Sequence, residues 1–358
     1  MKIPSAPQKV TLNVTNRCNL ICIYCAVSTT KNHPGDLNLV EWKRLIDELA
    51  RIKVFNLVIS GGEPFLRSDL DEILKRIFQY HFRISINTNG TIINRSAINL
   101  LADSNRVDNV QVSLDGPDER THDRMRGQGS FKKMMEGVVQ FMESGIPLSF
   151  NVVVHKINQN FLPHMVNLAK RIGVSRISFS PLSPQGGAIA HFDELRLDFE
   201  DEKDVEHCLK DLRRDHAGLV GGNMLETFDL MERISHSEPK GESVHEANWI
   251  TSCGGSVSEC AIRPEGGVIP CDRLWDYQVG NVREAPFQSI WLHSKGFERF
   301  RERYSKRMNS FEECLGCSFI SVCRGGCPAV PYNLGKGIDG WDPFSCYMVY
   351  AGQKQGYV

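Results

Sequence analysis

The chain has 358 residues, a formal net charge of −1, and 41% hydrophobic and 24% charged residues. That balance belongs to a globular protein of two domains, or of one large domain with an extension. It gives no support for nucleic acid or an anionic membrane surface as a partner. There is no apolar run of about 18 residues and no secretory start at Met1-Lys2-Ile3-Pro4. A cytoplasmic location without membrane attachment is therefore expected. The 12 cysteines then read as metal ligands, since the cytosol keeps thiols reduced.

The N-terminal half alternates β-branched runs with amphipathic helices, the rhythm of a parallel α/β sheet. Strands are predicted over Val10–Val14, Phe55–Ser60, Arg83–Asn87, Asn109–Ser113, Leu148–Val154 and Arg176–Ser180. Directly after the first come Cys18, Cys22 and Cys25, spaced C-x3-C-x2-C, with Asn19 after the first cysteine and Tyr24 before the third. Three thiolates can hold three irons of a cubic four-iron cluster and leave the fourth iron open to bind a small molecule. Structural zinc usually takes four ligands in paired arrangements, which these unequal gaps fit poorly.

Between the strands, Trp42, Leu45, Ile46 and Leu49 form one helical stripe. Ser68 and Asp71 read as a capping-box variant ahead of Ile73, Leu74 and Ile77. Phe161, Met165, Leu168 and Ile172 mark a further helix. Gly61-Gly62-Glu63-Pro64 follows strand 2, Thr88-Asn89-Gly90 follows strand 3 and Ser113-Leu114-Asp115-Gly116 follows strand 4. Glycine lets a backbone approach a ligand closely. Each tetrapeptide by itself is equally a tight turn, and only their order after successive strands gives them weight.

From about 186 to 245 the rhythm lapses. Val205, Cys208, Leu209 and Leu212 make a short apolar stripe in a charged helix, so Cys208 reads as a core thiol. Met224, Phe228 and Met231 suggest a second helix, and Ser235 to Ser243 an exposed linker. The last third then holds eight cysteines, as C253-x6-C260-x5-G266-x4-C271 and C314-x2-C317-x5-C323-x3-C327, with Cys346 beyond. Eight thiolates suit two closed clusters. Two zinc ribbons are the competing reading, and Cys314 with Cys317 would suit one.

The cysteine run after strand 1 and the segments after strands 2 to 4 resemble the radical S-adenosylmethionine (SAM) enzymes. The C-terminal cysteines resemble the SPASM extension of that family, although Cys260 lies nearer Gly266 than is usual. The resemblance implies an α/β fold, a partial (β/α)6 barrel over residues 1–185. A helical joining segment over 186–245 and a SPASM domain over 246–358 would complete the chain. Reacting groups of such barrels collect at the C-terminal ends of the strands.

The resemblance further implies SAM and three [4Fe–4S] clusters as cofactors, with the SAM cluster on Cys18, Cys22 and Cys25. An electron from that cluster breaks a carbon–sulfur bond of SAM, and the 5′-deoxyadenosyl radical removes an unactivated hydrogen from substrate. SAM contacts would come from Gly61, Gly62, Glu63, Ser113 and Arg126. Asn151 and Leu182 would lie near adenine or be ordinary strand-end residues. Auxiliary cluster I would use Cys253, Cys260, Cys271 and Cys327. Auxiliary cluster II would use Cys314, Cys317, Cys323 and Cys346. Asp272 matches a general base of the sulfatase-maturating branch; its ordinary reading is a turn residue or salt-bridge partner.

The expected activity is oxidation or cross-linking of a peptide or protein side chain, with an electron donor such as flavodoxin or ferredoxin. With strand 1 near Val10, no peptide-recognition domain is expected ahead of the barrel. That keeps alive a small-molecule alternative, such as oxidation or decarboxylation of a haem precursor. A non-enzymatic iron–sulfur or zinc scaffold is the rival of a different class, and it would cleave no SAM.

Overall fold

A computed structural model describes residues 3–26, 35–236, 248–251 and 253–352. Ten strands share one sheet: β1 (Lys9–Asn13), β2 (Asn56–Ser60), β3 (Arg83–Thr88), β4 (Val107–Ser113), β5 (Leu148–Val154), β6 (Arg176–Pro181), β7 (Val220–Gly221), β8 (Glu259–Ile262), β9 (Gly267–Ile269) and β10 (Gly280–Asn281). Their spatial order is β10-β9-β8-β1-β2-β3-β4-β5-β6-β7. From β1 to β7 every neighbouring pair is parallel. The six strands predicted from sequence are all present, each end within two residues of its expected place.

Helices α1 (Leu39–Arg51), α2 (Leu70–Ile77), α3 (Arg95–Ser104), α4 (Glu119–Arg126), α5 (Ser130–Glu143) and α6 (Leu162–Ile172) fill the crossovers. Strand alternation explains how they dock. Val10, Leu12 and Val14 are fully buried in one core with Trp42, Leu45, Ile46 and Leu49 of α1. Thr11 and Asn13 therefore face the other, inner side of the sheet. Helix α1 opens on a capping box: Asn38 accepts from the Val40 and Glu41 amides, and Glu41 accepts from the Asn38 amide.

The capping expected from Ser68 is not what forms. Helix α2 begins after Asp69, which makes no side-chain cap. The Asp69 carboxylate instead accepts from Arg67 (2.6 Å). Arg67 is buried because it also donates to the carbonyls of Val14 and Leu37. Phe161 sits in a single 3-10 turn ahead of α6, while Met165 and Leu168 are buried as expected.

The joining region forms two short helices, Gly187–Ala190 and Phe192–Leu195, and two longer ones, Phe199–Asp215 and Asn223–Ser235, with Val205, Leu209, Met224, Phe228 and Met231 buried. Cys208 packs at the margin of the main core. Of the expected linker, 237–243 lies outside the described residues, as does the boundary expected near 245. The C-terminal third is not a separate lobe. Strand β8 pairs in parallel with β1, Lys9 opposite Glu259 and Leu12 opposite Ile262. Trp291 Nε1 donates to the Pro4 carbonyl (2.9 Å), and Arg283 forms an ion pair with Glu41 (2.7 Å). A smaller core of Ile250, Met308, Phe311, Cys314 and Trp341 stands apart from the sheet. Among the described residues no helix is long and apolar enough to cross a membrane.

Candidate active site

The C-terminal end of β1 runs straight into the three-cysteine loop. Cys18, Cys22 and Cys25 lie near enough for the charge of each thiolate to be felt by its neighbours, and burial pushes Cys22 up to about 11. Hydrogen-bond donors already face the sulfurs. The Leu20 amide donates to Cys18 Sγ (3.4 Å) and the Asn89 side chain reaches the same atom (3.7 Å). Asn19 bonds Thr91 (2.8 Å) and accepts from Asn89 (3.1 Å), so the loop is moored to the end of β3. From the far side of the barrel, the Gly187 amide donates to the Cys25 carbonyl (2.9 Å). The sequence marked the segment of Asn89 after strand 3 but gave Asn89 no role, and nothing marked Gly187, because each acts only through the closure of the barrel.

Gly61 and Gly62 sit under this loop, and the need for glycine there comes from the loop's own backbone. Gly61 has φ +133°. A Cβ on Gly62 would stand 2.3 Å from the Arg17 carbonyl oxygen. The Gly62 and Glu63 amides donate to the Thr15 and Arg17 carbonyls (2.7 and 2.9 Å). The Glu63 carboxylate, fully buried, accepts from Thr88 Oγ1 and the Asn89 and Phe65 amides (2.8, 2.8 and 3.1 Å). Burial raises it to about 7 against those hydrogen bonds. Glu63 thus ties the end of β2 to the end of β3.

Arg126, at the end of α4, reaches the opposite side of the loop. It is buried, donates through Nε to Asp115 Oδ2 (2.5 Å) and through Nη2 to the Tyr24 hydroxyl (2.8 Å), and holds Nη1 at 4.0 Å from Cys22 Sγ. Asp115 is fully buried. Burial alone would raise its carboxyl, but Arg126, His122, His155 and the Tyr24 hydroxyl together hold it below the usual range. Burial lowers His122 and His155 to about 4, so both are neutral at pH 7 and carry charge only in the acid range where Asp115 itself titrates. Asp115 and Tyr24 stand inside quoted motifs, yet their spacing gave them no role. Ser113 ends β4 beside this group. Asn151 lies in the middle of β5, not at its end, where its side chain accepts from Ser180 of β6 (3.0 Å), and Leu182 is half-buried just beyond β6.

Of the eight C-terminal cysteines, the structure gathers seven into two groups. Cys253, Cys271 and Cys327 pack together around Leu274, Phe300 and Ala329, and each of Cys253 and Cys327 acts on the Cys271 thiol. Cys314, Cys317, Cys323 and Cys346 line one cavity with Phe319 and Trp341. Cys260, expected in the first group, is not brought to it. It lies within β8 opposite Val10, buried in the main apolar core, and its charged neighbours are Glu259, Asp272 and Arg301. The physical reason is the two-residue period of a strand: Cys260 and Ile262 share the helix-facing side with Val10 and Leu12.

Asp272 lies on the inner side of that same wall. Asn13 Nδ2, at the end of β1, donates to its Oδ1 (2.9 Å). Burial raises the carboxyl above its ordinary value, with Asn13 opposing. It is a turn residue, between Cys271 and Leu274, whose side chain is held against β1.

Comparison with known proteins bears on the same two regions. The Radical SAM superfamily profile matches residues 12–180, and that of SPASM, an iron-sulfur cluster-binding domain, matches residues 253–318. The chain belongs to the radical SAM superfamily and carries a SPASM domain, which makes it an enzyme that binds SAM and iron–sulfur clusters. It is 31% identical over 342 residues to the mycofactocin maturase MftC of Mycolicibacterium smegmatis, covering 94% of this chain and 82% of that one. It is 29% identical over 330 residues to an AdoMet-dependent heme synthase of Nitratidesulfovibrio vulgaris, covering 90% and 87%. Streptococcus suis SuiB has the same fold, with a TM-score of 0.74 at 18% identity over 96% of this chain and 77% of that one.

The donor sets fit these groups. In donor type and number, three neighbouring thiols would suit an open cluster and four around one cavity a closed one, although among the described residues no three Cys, His, Asp or Glu side chains stand close enough to hold a single metal ion.

Proposed function

We propose that the chain is a radical SAM maturase that oxidises or cross-links a side chain of a peptide or protein. The observation that carries this reading is the match to the mycofactocin maturase, which runs through both the barrel and the SPASM domain. Cys18, Cys22 and Cys25 would hold the SAM-binding cluster. Cys253, Cys271 and Cys327, and the set Cys314, Cys317, Cys323 and Cys346, would hold two auxiliary clusters. Bound there, the cluster and SAM supply the radical that removes a substrate hydrogen.

The protein's own groups position and protect that chemistry. Glu63 and Asn89 fix the loop to β2 and β3, and Gly61, Gly62, Ser113 and Arg126 frame the space for SAM; Asn151 and Leu182 lie farther round the barrel mouth. Asp272, with its raised carboxyl, is placed to accept a proton from a substrate hydroxyl or thiol. The electron donor is a small reduced carrier such as flavodoxin or ferredoxin, and the site of action is the cytoplasm.

A second reading, conversion of a haem precursor, is favoured by the 29% identity to a heme synthase along most of both chains. An anaerobic reaction with SAM, reductant and the peptide encoded by any small neighbouring gene separates the two. A peptide that loses two hydrogens, with 5′-deoxyadenosine formed in step, supports the maturase. Deoxyadenosine with an unchanged peptide, and turnover of an iron-bearing or metal-free tetrapyrrole, supports the alternative. Cys22→Ala should abolish deoxyadenosine formation in either case, and retained formation would sink the cluster assignment.

A further inference from the structure

We infer that Asp115 is a positioning residue that clamps the cysteine loop and aims Arg126 at Cys22. The inference rests on the assignment of a cluster to Cys18, Cys22 and Cys25. One carboxylate oxygen, Asp115 Oδ2, accepts from both the Tyr24 hydroxyl (2.5 Å) and Arg126 Nε (2.5 Å). Tyr24 stands between Cys22 and Cys25 in the loop. Arg126 closes the triangle by donating Nη2 to the Tyr24 hydroxyl (2.8 Å), with its guanidinium 5.8 Å from the Tyr24 ring centre.

These bonds commit two of the three guanidinium nitrogens. The third, Nη1, is left 4.0 Å from Cys22 Sγ. The same patch is tied once more by the Ile23 amide, which donates to the Met125 carbonyl (3.1 Å). Asp115 is itself held from behind: Asn158 Nδ2 donates to its carbonyl (3.3 Å), and its amide donates to His122 Nδ1 (3.3 Å). His155 packs against Tyr24, with ring centres 6.0 Å apart.

A buried ion pair is weak evidence for stability, because desolvation cancels much of its attraction. What this pair does is fix geometry. A cation placed beside one thiolate ligand, and a loop that cannot breathe, are the means by which surrounding groups tune and retain a metal centre. The loop residue and the helix residue share a single acceptor, so removing that acceptor loosens both from the end of β4 and leaves them their bond to each other.

The test uses the full chain with its clusters reconstituted. Binding of SAM perturbs the paramagnetic resonance signal of the cluster it binds; the component that responds to SAM and disappears in Cys22→Ala reports this site, and the other signals serve as an internal control. Tyr24→Phe and Asp115→Asn should each shift that component. Each should also speed its loss to an iron chelator roughly tenfold, the scale of one lost hydrogen bond to a charged group. Tyr24→Phe removes one oxygen, and it carries the test if Asp115→Asn does not fold. Wild-type signals and loss rates in both variants would overturn the inference, as would the equal loss of every cluster signal, which marks a general defect. A wild-type protein with no SAM-responsive signal at all would instead overturn the cluster reading beneath it.

Discussion

Cys260 and Cys271 are both buried thiols on neighbouring strands or their ends, and iron should tell them apart. Cys271 has Cys253 and Cys327 around it, whereas Cys260 has the aliphatic side chains of the main core. Cys260→Ala is expected to leave the iron content unchanged and to cost about 1 kcal/mol in stability, the effect of removing one small buried group. Cys271→Ala is expected to lower the iron content by the whole of one cluster. Iron and sulfide assays on the two purified variants decide the matter, and parallel iron losses would return Cys260 to the ligand set. A motif counts residues along the chain. It cannot show that residue 260 lies inside a strand, where alternation and not spacing decides which way a side chain points.

At the scale of elements, the β-turn after β2 and the cysteine loop after β1 are two backbones in contact. Gly62 has no room for a Cβ because the Arg17 carbonyl would be 2.3 Å from it, and that neighbour is backbone, which has nowhere to go. Gly62→Ala should therefore keep the secondary structure seen by circular dichroism and lose the SAM-dependent cluster, with SAM affinity falling at least tenfold, about 1.4 kcal/mol. Unchanged SAM binding in a calorimetric titration would contradict this account. The glycine pair was legible in the sequence as a place of close approach. What approaches it was not, since the Thr15–Arg17 segment is far from Gly62 in sequence. The strands and the stripes of α1 and α2 were legible because periodicity is local. The cap of α2 failed because Arg67 takes the Asp69 carboxylate, a preference set by carbonyls of Val14 and Leu37 that local spacing cannot reveal.

At the scale of the whole molecule, most of the C-terminal third shares the sheet and the main core. Among the described residues the remainder rests on small cores, one of Ile250, Met308, Phe311, Cys314 and Trp341 and another of Leu274, Phe300, Ala329 and Ile338. So few buried side chains rarely hold a fold by themselves, and bound metal then supplies folding free energy. Limited proteolysis after removal of iron should cut first between residues 308 and 346, while the barrel through β8 persists as one large fragment. Simultaneous digestion of barrel and C-terminal segment, followed by mass spectrometry, would contradict it. The sequence displayed this region's cysteines plainly but hid β8, because four residues without an alternating pattern carry little strand signal.

The parallel pairing of β8 with β1 also fixes an order of events on the ribosome. Residues near the N-terminus emerge first, so the strand that leads into the cysteine loop has β2 on one side long before Ile262 exists to cover the other. Until then its polar backbone edge is an open template for the wrong neighbour. The last third of the chain is thus the final stave of the barrel. A nascent polypeptide stalled before β8 would carry all three N-terminal cysteines on an unfinished wall.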